Sequence, residues 1–175
     1  MKNFEFYLDE FNDTLDLRDG TETGDYVYLK IRGSVLYKSG RYIPIVTYGE
    51  FRIHKVSSGS FIVSTSGSYI NITNESGTTW SESLSQNAQI IGAGDYCAFT
   101  FGSTTSPIGF DIDKPLTFNI RLNSQNTAPL GNSFTVKVKQ RLKMFIDGHQ
   151  VDKVYLNGTE LSNVYFNGTK IDVST

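Results

Sequence analysis

Residues 143–172 hold three successive ten-residue units, KMFIDGHQVD, KVYLNGTELS and NVYFNGTKID, and this repeat restricts the fold more tightly than any other stretch of the chain. Each unit runs polar, apolar, aromatic, apolar, Asx, Gly, two polar, apolar, polar. Asp147-Gly148, Asn157-Gly158 and Asn167-Gly168 each supply the two left-handed residues that a type I′ hairpin turn demands, between β-forming flanks. Three tight hairpins are expected. If each dipeptide is a two-residue loop, residues equidistant from it face each other. Met144 then faces Val151, Val151 faces Val164, and Val164 faces Ile171, which describes a four-stranded meander.

One face of that meander is apolar, with Leu142, Ile146, Tyr155, Phe166 and Val173 joining the central row. The other face carries Lys143, Asp152, Asn163 and Asp172 as a polar row, together with Phe145, Val154, Leu156, Leu161 and Tyr165. Isolated hairpins are marginal in water, so the apolar face must pack on something. The five apolar residues of the mixed face form a candidate partner interface, as exposed apolar patches often do.

Upstream, runs rich in Val, Ile, Tyr, Phe and Thr recur at residues 26–37, 42–56, 60–64, 68–73, 95–101, 116–122 and 133–146. Turn signals such as Ser39-Gly40, Ser58-Gly59, Ser66-Gly67 and Leu130-Gly131 separate them. That spacing predicts an all-β fold: an antiparallel β-sandwich or jelly roll over residues 1–140, followed by the C-terminal β-hairpin meander over 141–175. The Ser/Thr-rich stretch 57–85 still contains Phe61, Ile62, Val63, Tyr69, Ile70 and Ile72, which fits strands with hydroxyl-bearing outer faces. Residues 1–20 are left as an arm or a short helix. Phe4, Leu8, Phe11 and Leu15 fit a helical stripe as well as Phe4 and Phe6 fit a strand.

The chain has 175 residues, 38% hydrophobic, 13% aromatic and 19% charged, enough for one folded domain with a small appendage. A net charge of −2 provides no basic field, so no nucleic acid is expected as a partner. Lys137, Lys139, Arg141 and Lys143 read as the solvated face of one strand, because Val136, Val138, Leu142 and Met144 lie between them. Acidic residues interrupt the opening Met-Lys-Asn-Phe-Glu-Phe-Tyr-Leu-Asp-Glu, which lacks the form of a secretory signal. No apolar run approaches the ~18 residues that span a bilayer. The expectation is a soluble protein made in a cytoplasm, with no membrane partner. The single Cys97 excludes an intramolecular disulfide and sits in an apolar-aromatic stretch, as a small buried thiol.

No catalytic set is visible. His54 and His149 are isolated, no cluster has zinc-ligand spacing, and Gly92-Ala93-Gly94 precedes a strand rather than a helix. Asp111 and Asp113 read as solvated residues flanking Pro115. No enzyme activity, cofactor or metal is expected. Trp80, in Gly77-Thr78-Thr79-Trp80-Ser81, is either a loop-mounted platform for stacking a ligand or a core anchor.

The doubled Val-Tyr-x-Asn-Gly-Thr, at residues 154–159 and 164–169, resembles short C-terminal repeats at the ends of many structural proteins of tailed phages, including tail, baseplate and capsid-surface components. The resemblance covers about a fifth of the chain. It implies a virion protein assembled in a bacterial host cytoplasm, non-enzymatic, homo-oligomeric and in contact with other virion proteins. The alternative is a carbohydrate-binding or host-receptor-binding β-sandwich module that takes surface carbohydrate.

Overall fold

The protein is described by a computed structural model covering residues 1–18, 22–83, 88–91, 98–101, 105–140, 145–146, 149–150, 154–161, 164–166 and 169–171. It is all-β, with no helix among the described residues. The chain divides into two compact units, Met1–Lys139 and Gln140–Thr175.

The first unit is a sandwich of two sheets. One has six strands: β1 (Lys2–Tyr7), β5 (Ser60–Asn74), β6 (Thr79–Ser83), β7 (Ala88–Ile91), β10 (Pro115–Ser124) and β11 (Leu130–Lys139), in the order β1-β11-β10-β5-β6 with β7 also on β5. The other has β2 (Thr14–Leu17), β3 (Tyr26–Lys38), β4 (Arg41–His54) and β8 (Ala98–Phe101) in that order, with β9 (Ile108–Gly109) also on β4. Every ladder is antiparallel except β1 with β11, which is parallel. Consecutive strands pair as hairpins within a sheet, at β3–β4, β5–β6 and β10–β11.

Period-2 alternation places the core. Val27, Leu29 and Ile31 of β3, Phe51 and Ile53 of β4, Ile70 and Ile72 of β5, Leu116, Phe118 and Ile120 of β10, and Phe134, Val136 and Val138 of β11 all point inward and are buried. Each such side chain contributes about 1.5–3 kcal/mol when fully removed from water. The sheets meet through Phe101 and Phe118, whose ring centroids lie 6.1 Å apart, and through the Asn132 amide, which donates to the Val27 carbonyl at 2.9 Å.

The start of the chain is strand, not helix. Phe4 and Phe6 alternate along β1 and pack against the core, with Phe4 stacked 6.3 Å from Phe134. The apparent helical stripe reflects a single tight turn in which Phe11 N–H donates to the Tyr7 carbonyl at 3.0 Å. That turn drives the Phe11 ring into the core against Phe6 and Phe110. The two candidate strands at 60–64 and 68–73 are one strand, β5, bent at Gly67. The bend is tied to β10 by the buried Ser68 hydroxyl, which donates to the Ser64 carbonyl and accepts from Asn123 N–H.

The second unit contains β12 (Phe145–Ile146), β13 (His149–Gln150), β14 (Tyr155–Leu156), β15 (Thr159–Glu160), β16 (Val164–Phe166) and β17 (Thr169–Ile171). These pair two by two around each Asx-Gly dipeptide, with Ile146 opposite His149, Leu156 opposite Thr159 and Val164 opposite Ile171. Among the described residues these pairs form three two-stranded hairpins, and the segments 151–153 and 162–163 that would join them into the expected meander lie outside the described residues. Met144 and Val151, which carried the expected lateral register, lie outside the described residues, as do Gly148 and Gly168. At the central turn Asn157 and Gly158 have φ of 50° and 82°, the paired left-handed conformation of a type I′ loop.

Candidate functional site

The longest hairpin of the sandwich projects beyond its own sheet. Ser39 and Gly40 turn it with φ of 53° and 78°, again a type I′ pair. Below the turn, β2 reaches β3 only as far as Arg32, and β9 meets β4 at Ile45 and Val46. Among the described residues, the segment from Leu36 to Ile43 has no ladder partner but its own other strand.

This ribbon is apolar on both faces. Tyr37 and Tyr42 are opposite each other with ring centroids 5.0 Å apart, and Leu36 opposes Ile43 on the reverse side. Tyr37 is 63% exposed, Tyr42 50% and Leu36 42%. The cations Lys38 and Arg41 flank the turn, and Arg41 makes only a loose, exposed pair with Asp111 at 3.8 Å. The tip thus sets exposed aromatic rings beside two cations. Sequence reading took Ser39-Gly40 as a simple turn. The missing information was the length of the neighbouring strands, since only a ladder shorter than the hairpin leaves its tip unsupported.

The five residues expected as an interface lie on or beside the three described hairpins. Val154, Leu156 and Leu161 share one face of the central hairpin, where Leu161 N–H donates to the Val154 carbonyl at 2.8 Å. Leu156 is exposed there, and Val154 and Leu161 are half-buried. Tyr165 belongs to the last hairpin, opposite Lys170, and is exposed. Phe145 lies on β12 opposite Gln150, and its side chain is outside the described part. Tyr155, expected on the apolar face, is also exposed.

Trp80 is not on a loop. It sits on β6 opposite Ile72, half-buried against the core, in a cleft of about 270 Å³ lined also by Ile70, Ile108 and Ser106. Asp113 has a φ of 62° in the turn before β10, where its N–H donates to the Val138 carbonyl. His54 lies on β4 with its ring 4.9 Å from Tyr26. Among the described residues no group of three or more His, Cys, Asp or Glu side chains is placed to hold a metal ion. No described helix is long and apolar enough to cross a membrane.

Two polar clusters are internal ties. Asp25 accepts hydrogen bonds from Lys55 Nζ at 2.7 Å, from the Val56 and Ser57 backbone N–H groups at 2.8 Å each, and from the Ser57 hydroxyl. Partial burial pushes the Asp25 carboxyl up, but the hydrogen bonds from Lys55, Ser57 and Val56 outweigh it and hold the group well below the usual carboxylate range. On the outer side of β4, the buried Glu50 accepts from Tyr48 at 2.9 Å and from Arg52. Burial raises the Glu50 carboxyl, and the Arg52 and Tyr48 hydrogen bonds more than reverse that. Both carboxylates are saturated with donors, which suits structure rather than proton transfer.

No protein-family model matches the chain, and no curated protein matches it in sequence.

Proposed function

We propose that this protein is a non-enzymatic structural component of a tailed-phage virion, assembled in the bacterial host cytoplasm and acting through contacts with other virion proteins and with copies of itself. The observation that carries the reading is the clustering of large exposed apolar side chains on hairpin tips: Leu36, Tyr37 and Tyr42 on the β3–β4 ribbon, and Tyr155, Leu156 and Tyr165 on the C-terminal hairpins. Tyrosines with few rotatable bonds, held on turn-locked ribbons, lose little conformational entropy when covered, and aromatic anchors of this kind dominate protein interfaces. The C-terminal Val-Tyr-x-Asn-Gly-Thr repeats, which resemble those of phage structural proteins, supply the virion context.

The saturated carboxylates of the two clusters offer no poised base and so lend nothing to an enzymatic alternative. Quantitative mass spectrometry of density-purified particles, from cells that produce the chain, tests the proposal. The chain is expected at a fixed copy number per particle, and its absence from particles would overturn the reading.

A further inference from the structure

On its outer face the six-stranded sheet carries a lattice of hydroxyl and amide groups, which gives way to Glu5, Lys137 and Lys139 where β1 pairs with β11. The inward positions of β5, β10 and β11 are all taken by core residues, so alternation turns Tyr69, Asn71 and Thr73, then Thr117, Asn119 and Arg121, then Ser133 and Thr135, to the outside. The ladder aligns them into rows that cross the sheet. One row reads Thr135, Thr117, Thr73, Thr79; the next reads Ser133, Asn119, Asn71, Ser81; the third reads Gly131, Arg121, Tyr69, Ser83. Sheet geometry spaces these groups roughly 4.8 Å apart across strands and ~6.8 Å along them.

The third row differs in character. Tyr69 is 36% exposed, and the exposed Arg121 directly opposes it. Among the described residues Arg121, Tyr69 and Asn71 have no side-chain hydrogen-bond or ion-pair partner. Gly131, on the far side of Arg121, adds no side chain to the row, and a β-carbon there would lie 3.0 Å from the Ile120 carbonyl oxygen. The result is an open groove of about 650 Å³ lined by Tyr69, Arg121, Pro129, Leu130 and Ser133.

We propose that this groove and the adjoining amide row bind a neutral oligosaccharide, a function separate from the hairpin contacts. The chemistry selects that ligand. Arg121 is the only charge in the three rows, too little to hold a polyanion, whose binding requires several phosphates or sulfates to be neutralised together. A protein partner would need a desolvated apolar centre, whereas Tyr69 is the only large apolar group in the three rows, and the groove's other apolar lining is Met1, Pro129 and Leu130 beside hydroxyl, amide and guanidinium groups. A sugar chain presents hydroxyls that both donate and accept, matching the Asn, Ser and Thr inventory, and it offers C–H faces that stack on an aromatic ring. The guanidinium supplies parallel donors suited to two neighbouring sugar oxygens. An open groove on a flat lattice accommodates a chain lying across strands better than an enclosed small molecule.

The test is a titration of the isotope-labelled full-length chain with cellohexaose, maltohexaose and the hexamer of N-acetylglucosamine, followed by amide chemical shifts. At least one of these neutral probes should give saturable shifts at residues 69, 71, 119, 121 and 133. Tyr69→Ala and Arg121→Ala should each weaken that binding by about tenfold or more, the scale of one well-placed contact. Tyr69→Phe, which keeps the ring, should largely retain it, and unchanged thermal midpoints would show that all three variants fold. No saturable shift with any of the three, shifts centred on the Trp80 cleft or the hairpin tips, or binding of dextran sulfate alone would overturn the proposal. Particle incorporation is a separate readout, so either result leaves the assembly role to be judged on its own experiment.

Discussion

The ring of Phe101 occupies the space that a side chain on Gly49 would need, the two residues being register partners across β4 and β8. Phe101 in turn packs on Phe118 of the opposite sheet, so this glycine sets how closely the ring can seat between the layers. Gly49→Ala should cost about 1–3 kcal/mol, the usual penalty for overpacking a filled core. Gly24→Ala, where nothing lies within 4 Å, should stay within about 0.5 kcal/mol of the parent. Urea denaturation of both variants checks the contrast.

Asp25 and Lys55 close the connection after β4, and Lys55 is buried to 4% exposure with Asp25 as its counter-ion. Removing one partner of such a pair leaves an uncompensated charge, so Asp25→Ala should cost about 3–5 kcal/mol. The folded state holds the Asp25 carboxyl below its unfolded value, so its stabilisation is full above about pH 5 and is lost as pH falls through the acid range. The gap in thermal midpoint between the parent and Asp25→Asn should therefore narrow as the pH is lowered from neutrality towards about 3. A gap that widened would contradict the assignment.

Gly158 carries the left-handed φ of the central repeat turn. Gly158→Val introduces a branched side chain there and should cost the hairpin roughly 1 kcal/mol or more. Hydrogen exchange at the Leu161 amide, whose N–H donates to Val154, should accelerate accordingly.

Strand content was legible wherever a run lay between turn signals: β3, β4, β10 and β11 all overlap the runs expected from composition and alternation. What escaped local reading depends on pairing between distant residues. β1 is a strand because it lies parallel to β11, which no pattern within residues 4–15 can reveal. Each Asx-Gly turn lies at the centre of its hairpin register, because two residues with φ > 0 are a local requirement. Whether neighbouring hairpins join is not a local matter, and it turns on residues 151–153 and 162–163, which lie outside the described residues. The exposed Tyr37–Tyr42 tip and the Tyr69–Arg121 row were likewise hidden. The first depends on where other strands end, and the second assembles residues from β5 and β10 that only the ladder brings together.

Every buried core side chain among the described residues lies between Phe11 and Val138, within the first unit. A fragment ending at residue 139 should therefore unfold cooperatively, with a thermal midpoint within a few degrees of the full chain. A fragment that shows no cooperative transition would mean that residues 140–175 are needed to complete the fold.

Assembly through the exposed aromatic tips, as we propose, is tested most directly by the copy number of a tip variant in particles. Tyr37→Ser combined with Tyr42→Ser removes two largely exposed rings that pack on each other near the ribbon tip, so the sandwich should keep its thermal midpoint. Interface aromatics commonly contribute 1–2 kcal/mol or more each, so incorporation should fall by about tenfold or more. Quantitative mass spectrometry of purified particles gives the number. A folded double variant present at the parent copy number would contradict the account.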